Sequence, residues 1–231
     1  MTTTTPDTPG PRDLISPDVL SQAFDVEVYD RDGKATKLGE LVKGRRTALI
    51  FVRHFWCVNC QAYVRYLSAA VPPGNLVEGT QILIIGCGTH TPIPNYITAS
   101  SSAYPIYTDP TTRLHALFGF KWTLAQDAPG DTKKDYMRDA GGVMYRIWGG
   151  LKYALGSIGH VSAVGPKSLN GGEIVVSADG KCEFVHRMQN TVDHADVREL
   201  AGVLGARFDE SVEKGENACG EVCEGGKEET K

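Results

Sequence analysis

Apolar and polar positions along this 231-residue chain follow two rhythms. Thr47-Ala48-Leu49-Ile50-Phe51-Val52 and Gln81-Ile82-Leu83-Ile84-Ile85-Gly86 are near-continuous apolar runs, too short for helices and rich in branched side chains, so each reads as a buried strand. Between them Tyr63, Val64, Leu67 and Val71 recur at helical spacing, which predicts an amphipathic helix over residues 61–70, ended by Pro72-Pro73-Gly74. Strand, helix, strand is the βαβ unit of a parallel sheet with a right-handed crossover. Upstream, Ser16-Pro17 predicts the start of a short helix over residues 18–23. Alternating Phe24, Val26 and Val28 then predict a half-exposed strand, closed by the turn Asp30-Arg31-Asp32-Gly33 and followed by a short helix Leu38–Val42.

Downstream, the pattern predicts a helix over 96–101, a short strand over 105–107, and a turn and helix over 109–119 ended by Gly119. Glu173-Ile174-Val175-Val176-Ser177 and the run 181–187, joined by Ala178-Asp179-Gly180, form a hairpin; a last helix, Val197–Leu204, stops at Gly205. The class is α/β, a central mixed sheet flanked by helices. Residues 121–170 interrupt it: after a polar loop, Met144, Ile147, Trp148, Leu151, Leu155 and Ile158 recur at helical spacing, interrupted by glycine pairs. This helical insert before the C-terminal hairpin reads either as a helix packed on the sheet or as a lid that places Trp122, Tyr145 and Trp148 against a substrate. The domain is then 17–206, with residues 1–16 a disordered lead-in and 207–231 an acidic, solvated tail.

Chemistry concentrates at Arg53-His54-Phe55-Trp56-Cys57-Val58-Asn59-Cys60, where a strand ends and a helix begins. Unpaired N–H groups and partial positive charge in a first helical turn favour a thiolate. Two cysteines three apart there can close a small disulfide, so two-electron exchange is the leading reading. Buried structural thiols and half of a zinc site stand beside it, although Cys87, Cys182, Cys219 and Cys223 offer no second metal-binding pair in register and no metal is expected. Cys57, nearer the strand edge and solvent, is expected to attack, and Cys60, one turn in, to resolve. Arg53 and His54 either lower the Cys57 pKa or serve only as an ion-pairing residue and a strand-end side chain. Among His90, His115, His160, His186 and His194 nothing in the sequence selects a base.

Trp56-Cys57-Val58-Asn59-Cys60 resembles the WCxxC of thioredoxin-fold oxidoreductases. The longer pattern Phe51-Val52-Arg53-x-Phe55-x-Cys57-x-x-Cys60-x-x-Tyr63-Val64 resembles the peroxiredoxin-like 2 group of the AhpC/TSA superfamily. Tyr107-x-Asp109-Pro110 with Leu117-Phe118-Gly119, then Gly171-Gly172, Phe184-Val185-His186-Arg187 and Asp193-His194 extend the likeness over residues 24–206. The resemblance implies a thioredoxin-like fold and a thiol-dependent reductase of peroxides or endoperoxides, antioxidant in role, whose disulfide is returned by thioredoxin or glutathione with no bound cofactor. One branch of the group reduces a prostaglandin endoperoxide with a CxxC, which implies a bulky lipid or natural product as substrate. Relatives also often form homodimers. Peroxiredoxins carry a Pro and a Thr where this chain has Ile50 and His54, and an Arg before the strand that corresponds to 173–176, where Asn170, Gly171 and Gly172 stand. Thioredoxins carry a cis-proline at that same place. These departures leave a dithiol oxidase or disulfide exchanger, and a non-redox protein on the same fold, as alternatives.

Charge and composition narrow the rest. The net charge of −4 argues against a nucleic-acid binder, and no run approaches the about eighteen apolar residues of a membrane span. Met1-Thr2-Thr3-Thr4-Thr5-Pro6 has neither a basic start nor an apolar stretch, so no secretory signal is expected and the thiols are expected to be cytoplasmic and reduced. From Asp209 on, eight acidic residues and three lysines give a charge of −5, which leaves +1 for the remainder of the −4 total. That tail also holds Cys219 and Cys223, either bystanders or an electron relay to Cys57 and Cys60.

Overall fold

The computed structural model describes residues 9–126, 134–137 and 163–212. The strands are β1 (Glu27–Tyr29), β2 (Ala35–Lys37), β3 (Arg46–Phe51), β4 (Thr80–Gly86), β5 (Ile106–Thr108), β6 (Gly172–Val176) and β7 (Cys182–Arg187). The helices are α1 (Pro17–Phe24), α2 (Leu38–Val42), α3 (Val58–Ala70), α4 (Ile93–Ser100), α5 (Arg113–Leu117) and α6 (Val197–Leu204). Among the described residues one sheet contains the seven strands, in the order β2-β1-β5-β4-β3-β6-β7. β3 and β4 run parallel from Arg46↔Thr80 to Phe51↔Ile85, and α3 makes the crossover between them, as the two apolar runs predict. β6 lies antiparallel to β3 and turns back into β7, so the sheet is mixed. The described residues contain no helix long and apolar enough to cross a membrane.

The central strands are apolar throughout because both faces are covered, and alternate side chains serve different cores. Ala48, Ile50, Ile82, Ile84 and Val175 face α3, α4 and α6, where they pack with Val64, Leu67, Tyr96 and Leu200. Leu49, Phe51, Leu83, Ile85, Ile174 and Val176 face α1, α2 and α5, with Leu20, Leu38 and Leu114. This alternation sets where β6 can place a polar group. Glu173 pairs with Ile50 across the strands, so it shares the α3 face of the sheet.

Several boundaries differ from the sequence reading. α3 begins at Val58, and α4 begins at Ile93 rather than Tyr96. Phe24 ends α1, so the β1 alternation is confined to Val26 and Val28. Residues 9–16, expected within a disordered lead-in, pack instead along β7. The reason is the buried Arg187, whose guanidinium needs acceptors; the Gly10 and Asp13 carbonyls each accept from it at 2.8 Å, and the Ile15 side chain is buried beside them. At the other end, residues 207–212, expected within the solvated tail, close the base of α3. Asp209 N–H donates to the Ala70 carbonyl at 2.7 Å, one of the acceptors that the helix terminus leaves unpaired. Most of the expected helical insert, with Tyr145 and Trp148, lies outside the described residues, as do Cys219 and Cys223.

Candidate active site

The sequence from Arg53 to Cys60 leaves the end of β3 and turns directly into α3. Phe55 anchors the turn: it is fully buried, meets Tyr96 edge-on at 5.3 Å, and its ring lies where a Cβ on Gly86 would stand, 2.3 Å from Phe55 Cζ. Its N–H donates to the Val164 carbonyl at 3.0 Å, tying the turn to the segment before β6. The close approach fixes the start of α3, and Cys57 occupies the N-cap. Its Sγ accepts the Cys60 N–H at 3.3 Å, the bond that a Ser or Asp oxygen makes at this position. Cys60 lies in the first turn with its Sγ 2.7 Å from that of Cys57; both are free thiols within reach of a disulfide.

Arg53 completes this arrangement. It is buried, with Nη1 3.8 Å from Cys57 Sγ, Nε on Asn170 Oδ1 at 2.9 Å and Nη2 on the Lys167 carbonyl at 2.7 Å. Asn170 stands just before β6, where the resemblance expected an arginine and found none. A guanidinium is nonetheless at the site, delivered from β3 and held by the asparagine. Burial opposes ionisation of Cys57, but the Cys60 thiol, the Arg53 charge and the Cys60 N–H outweigh it and hold the thiol well below its ordinary value. Cys60 moves the other way: burial and the neighbouring Cys57 raise it well above the ordinary range, against a weaker opposing pull from Arg53. One cysteine is therefore set up as thiolate and the other as thiol.

Other candidates fall out differently. Cys57 is nearly as buried as its partner, at 4% exposure against 0%, so little separates the two in access to solvent. His54 is buried; desolvation, with the Arg53 and Lys167 charges, holds its imidazole down to about 3. A neutral ring cannot stabilise the Cys57 thiolate by charge. Its carbonyl instead accepts the Cys57 N–H at 3.0 Å. Trp56 is half-buried, with Lys167 Nζ 5.8 Å above its ring. Trp122 is 60% exposed on a segment bridged to Leu169, next in sequence to Asn170. Cys87 donates its thiol to the Arg53 carbonyl at 3.0 Å, and burial pushes it to about 12.

The sequence reading missed the other side of the pair. His194 Nε2 lies 3.4 Å from Cys60 Sγ, and its Nδ1 lies 2.6 Å from Glu173 Oε1. The Ala195 N–H donates to Glu173 Oε2 at 2.9 Å. Both side chains are wholly buried, and the imidazole stacks on Tyr63 at 4.2 Å with 8° between the rings. A carboxylate inside the apolar run 173–176 was the available signal. Choosing His194 from six histidines required the fold. Among the described residues, no group of three or more His, Cys, Asp or Glu side chains is arranged to hold a metal ion.

Comparison with known proteins agrees with this architecture. A family model described as AhpC/TSA antioxidant enzyme matches residues 67–190, more than half of the chain. The match begins after the cysteine pair. The chain is 24% identical over 184 residues to the mouse (Mus musculus) protein named Peroxiredoxin-like 2C, covering 79% of each chain. With the Takifugu rubripes protein of that name it is 29% identical over 196 residues, covering 80% of this chain and 82% of the relative. Among solved structures, the peroxidoxin BcpB from Mycobacterium tuberculosis superposes with a TM-score of 0.51 at 13% identity, over 84% of this chain and 94% of that one, a likeness of fold. The parallel β3–α3–β4 unit, the β6–β7 hairpin and this match together place the chain in the AhpC/TSA antioxidant enzyme family, on a thioredoxin-like fold.

Proposed function

We propose that the chain is a thiol-dependent oxidoreductase that reduces a peroxide or endoperoxide, with Cys57 as nucleophile and Cys60 as resolving thiol. The observation that carries this reading is the asymmetry of the pair: Cys57 capped by a helix N–H and faced by Arg53, Cys60 held as a thiol. The Cys57 thiolate attacks one peroxide oxygen, the O–O bond breaks, and the second oxygen leaves with a proton as alcohol or water. Arg53 Nη1 lies where it can donate to the developing oxyanion. Cys60 then attacks the Cys57 sulfur, displacing hydroxide from the sulfenic acid that a hydroperoxide leaves or the remaining alkoxide from the sulfenate ester that an endoperoxide leaves; the departing oxygen takes the Cys60 proton, and the resulting disulfide is reduced by an external thiol, thioredoxin or glutathione on this reading. The test is mass spectrometry of the alkylated protein after one equivalent of hydrogen peroxide, a lipid hydroperoxide or an endoperoxide. A rapid Cys57–Cys60 disulfide, reversed by thioredoxin with NADPH consumption and absent in Cys57→Ser, is expected. A Cys57 that stays fully alkylatable with every peroxide overturns the reading.

The stabilised thiolate also favours a second reading. Lowering the energy of the reduced pair makes the disulfide more oxidising, which suits a dithiol oxidase or disulfide exchanger. A potential near about −120 mV would select that role, and one near about −270 mV would select the reductase.

A further inference from the structure

Attack by Cys57 uses the helix cap and Arg53; it does not use Glu173 or His194. We infer that Glu173 and His194 form a proton relay for the resolution step, with His194 the catalytic base that takes the Cys60 proton and Glu173 its positioning residue. This rests on Cys57 being the first attacker.

The relay requires one placement of the imidazole hydrogen. Glu173 Oε2 is occupied by the Ala195 N–H, and Oε1 accepts Nδ1–H of His194 at 2.6 Å. That bond fixes the tautomer and leaves the Nε2 lone pair toward the Cys60 thiol, 3.4 Å away. Tyr63 stacked on one face and Tyr136 edge-on at 6.1 Å hold the ring plane. Cys60, His194 and Glu173 are each 0% exposed, which keeps solvent from serving as the proton acceptor. An imidazole and a carboxylate buried together in an otherwise apolar cluster are costly, and packing alone would be met by apolar side chains. The same burial raises Cys60, so without a base it supplies little thiolate.

The step balances. His194 Nε2 takes the Cys60 S–H proton, the Cys60 sulfur bonds to the Cys57 sulfur, and the Cys57 S–O bond of the sulfenic acid breaks. The leaving oxygen carries that proton away as water. On reduction the external thiol attacks Cys57, Cys60 leaves as thiolate, and a proton returns to it through His194. Other titratable or charged groups around the relay are Arg53 and Cys57 beyond Cys60, Tyr63 on α3, Tyr136, His186 on β7 with its partner Asp193, and Lys134, which pairs with Asp193 and donates to the His194 carbonyl.

The experiment loads Cys57 as a mixed disulfide with dithiodipyridine and follows its replacement by the Cys57–Cys60 disulfide, by thiopyridone release and quenched peptide mass. This isolates resolution from any peroxide chemistry. His194→Gln is expected to slow it about 100-fold near neutral pH. Its rate should climb tenfold per pH unit from about pH 6 to about pH 9, where only hydroxide can ionise Cys60, while the parent protein is flatter. A rate within twofold of the parent, or a loss by one constant factor at every pH, overturns the relay. If His194→Gln loses its cooperative thermal transition, Glu173→Gln and the parent profile decide. The relay then predicts a smaller change of slope in Glu173→Gln; a parent rate that itself climbs tenfold per unit, or a Glu173→Gln profile that matches the parent's, overturns it. Normal resolution through His194 with no peroxide oxidation of Cys57 would refute only the peroxide reading, whereas first attack by Cys60 would refute both.

Discussion

Arg53→Met removes the buried cation that the described residues place beside the Cys57 sulfur while keeping a long apolar side chain. At the 3.8 Å separation from Nη1 to Sγ, a unit charge pair at an effective dielectric of about 20 is worth about 4 kcal/mol, an upper bound of about 3 pKa units. Relaxation and the unpaired Asn170 and Lys167 acceptors reduce this, so a rise of about 2 units is expected. Cys57 is held down to about 6 in the parent, which makes it about 90% thiolate at neutral pH. The variant would be about 10% thiolate, and its alkylation rate at neutral pH should fall about tenfold. The loss should vanish by about pH 10, where both forms are ionised. The assay is the pH dependence of iodoacetamide labelling at Cys57, read by peptide mass beside a thermal melt that verifies folding. A midpoint within half a unit of the parent would refute Arg53 as the electrostatic partner. Arg53→Lys keeps the charge but loses the fork to Asn170 and Lys167, so an intermediate shift is expected.

Asn170→Ala removes the acceptor that aims Arg53 Nε and should raise the midpoint of Cys57 labelling by about 0.7 pH unit, a loss of about 1 kcal/mol; an unchanged midpoint would mean that the Lys167 carbonyl suffices. His54→Asn should leave the Cys57 midpoint unmoved because the imidazole is neutral, and a shift comparable with that of Arg53→Met would contradict this. Gly171→Ala would place a Cβ 1.8 Å from the Phe51 carbonyl oxygen between β3 and β6, so a loss of at least about 3 kcal/mol in urea unfolding is expected, and a neutral result would show that the two strands can part freely. Because Cys57 is depressed on folding, its contribution to stability is full above about pH 9 and is lost as pH falls through about 6, at no more than about 1.4 kcal/mol per pH unit. Urea midpoints of the reduced protein should show this slope and Cys57→Ser should lack it; Cys60, raised instead, acts only above that window.

The apolar runs at 47–52 and 81–86 and the helical spacing of Tyr63, Val64 and Leu67 determined the parallel core, because period and length are local properties that one strand or helix expresses by itself. The same local reading put Cys57 at a helix start and named Arg53 beside it. It failed where long-range satisfaction governs: residues 9–16 look like a solvated leader until Arg187, far along the chain, needs their carbonyls. Asn170 and Arg53 are separated by 117 residues and Cys60 and His194 by 134, and no periodicity links them. Sheet order brings β6 beside β3, and strand parity turns Glu173 toward α3 rather than away from it. The sequence by itself set out a cysteine pair at a strand–helix junction. Which cysteine is thiolate, which is thiol, and which histidine faces the second depends on buried charges meeting across the sheet, and only the tertiary structure decided that.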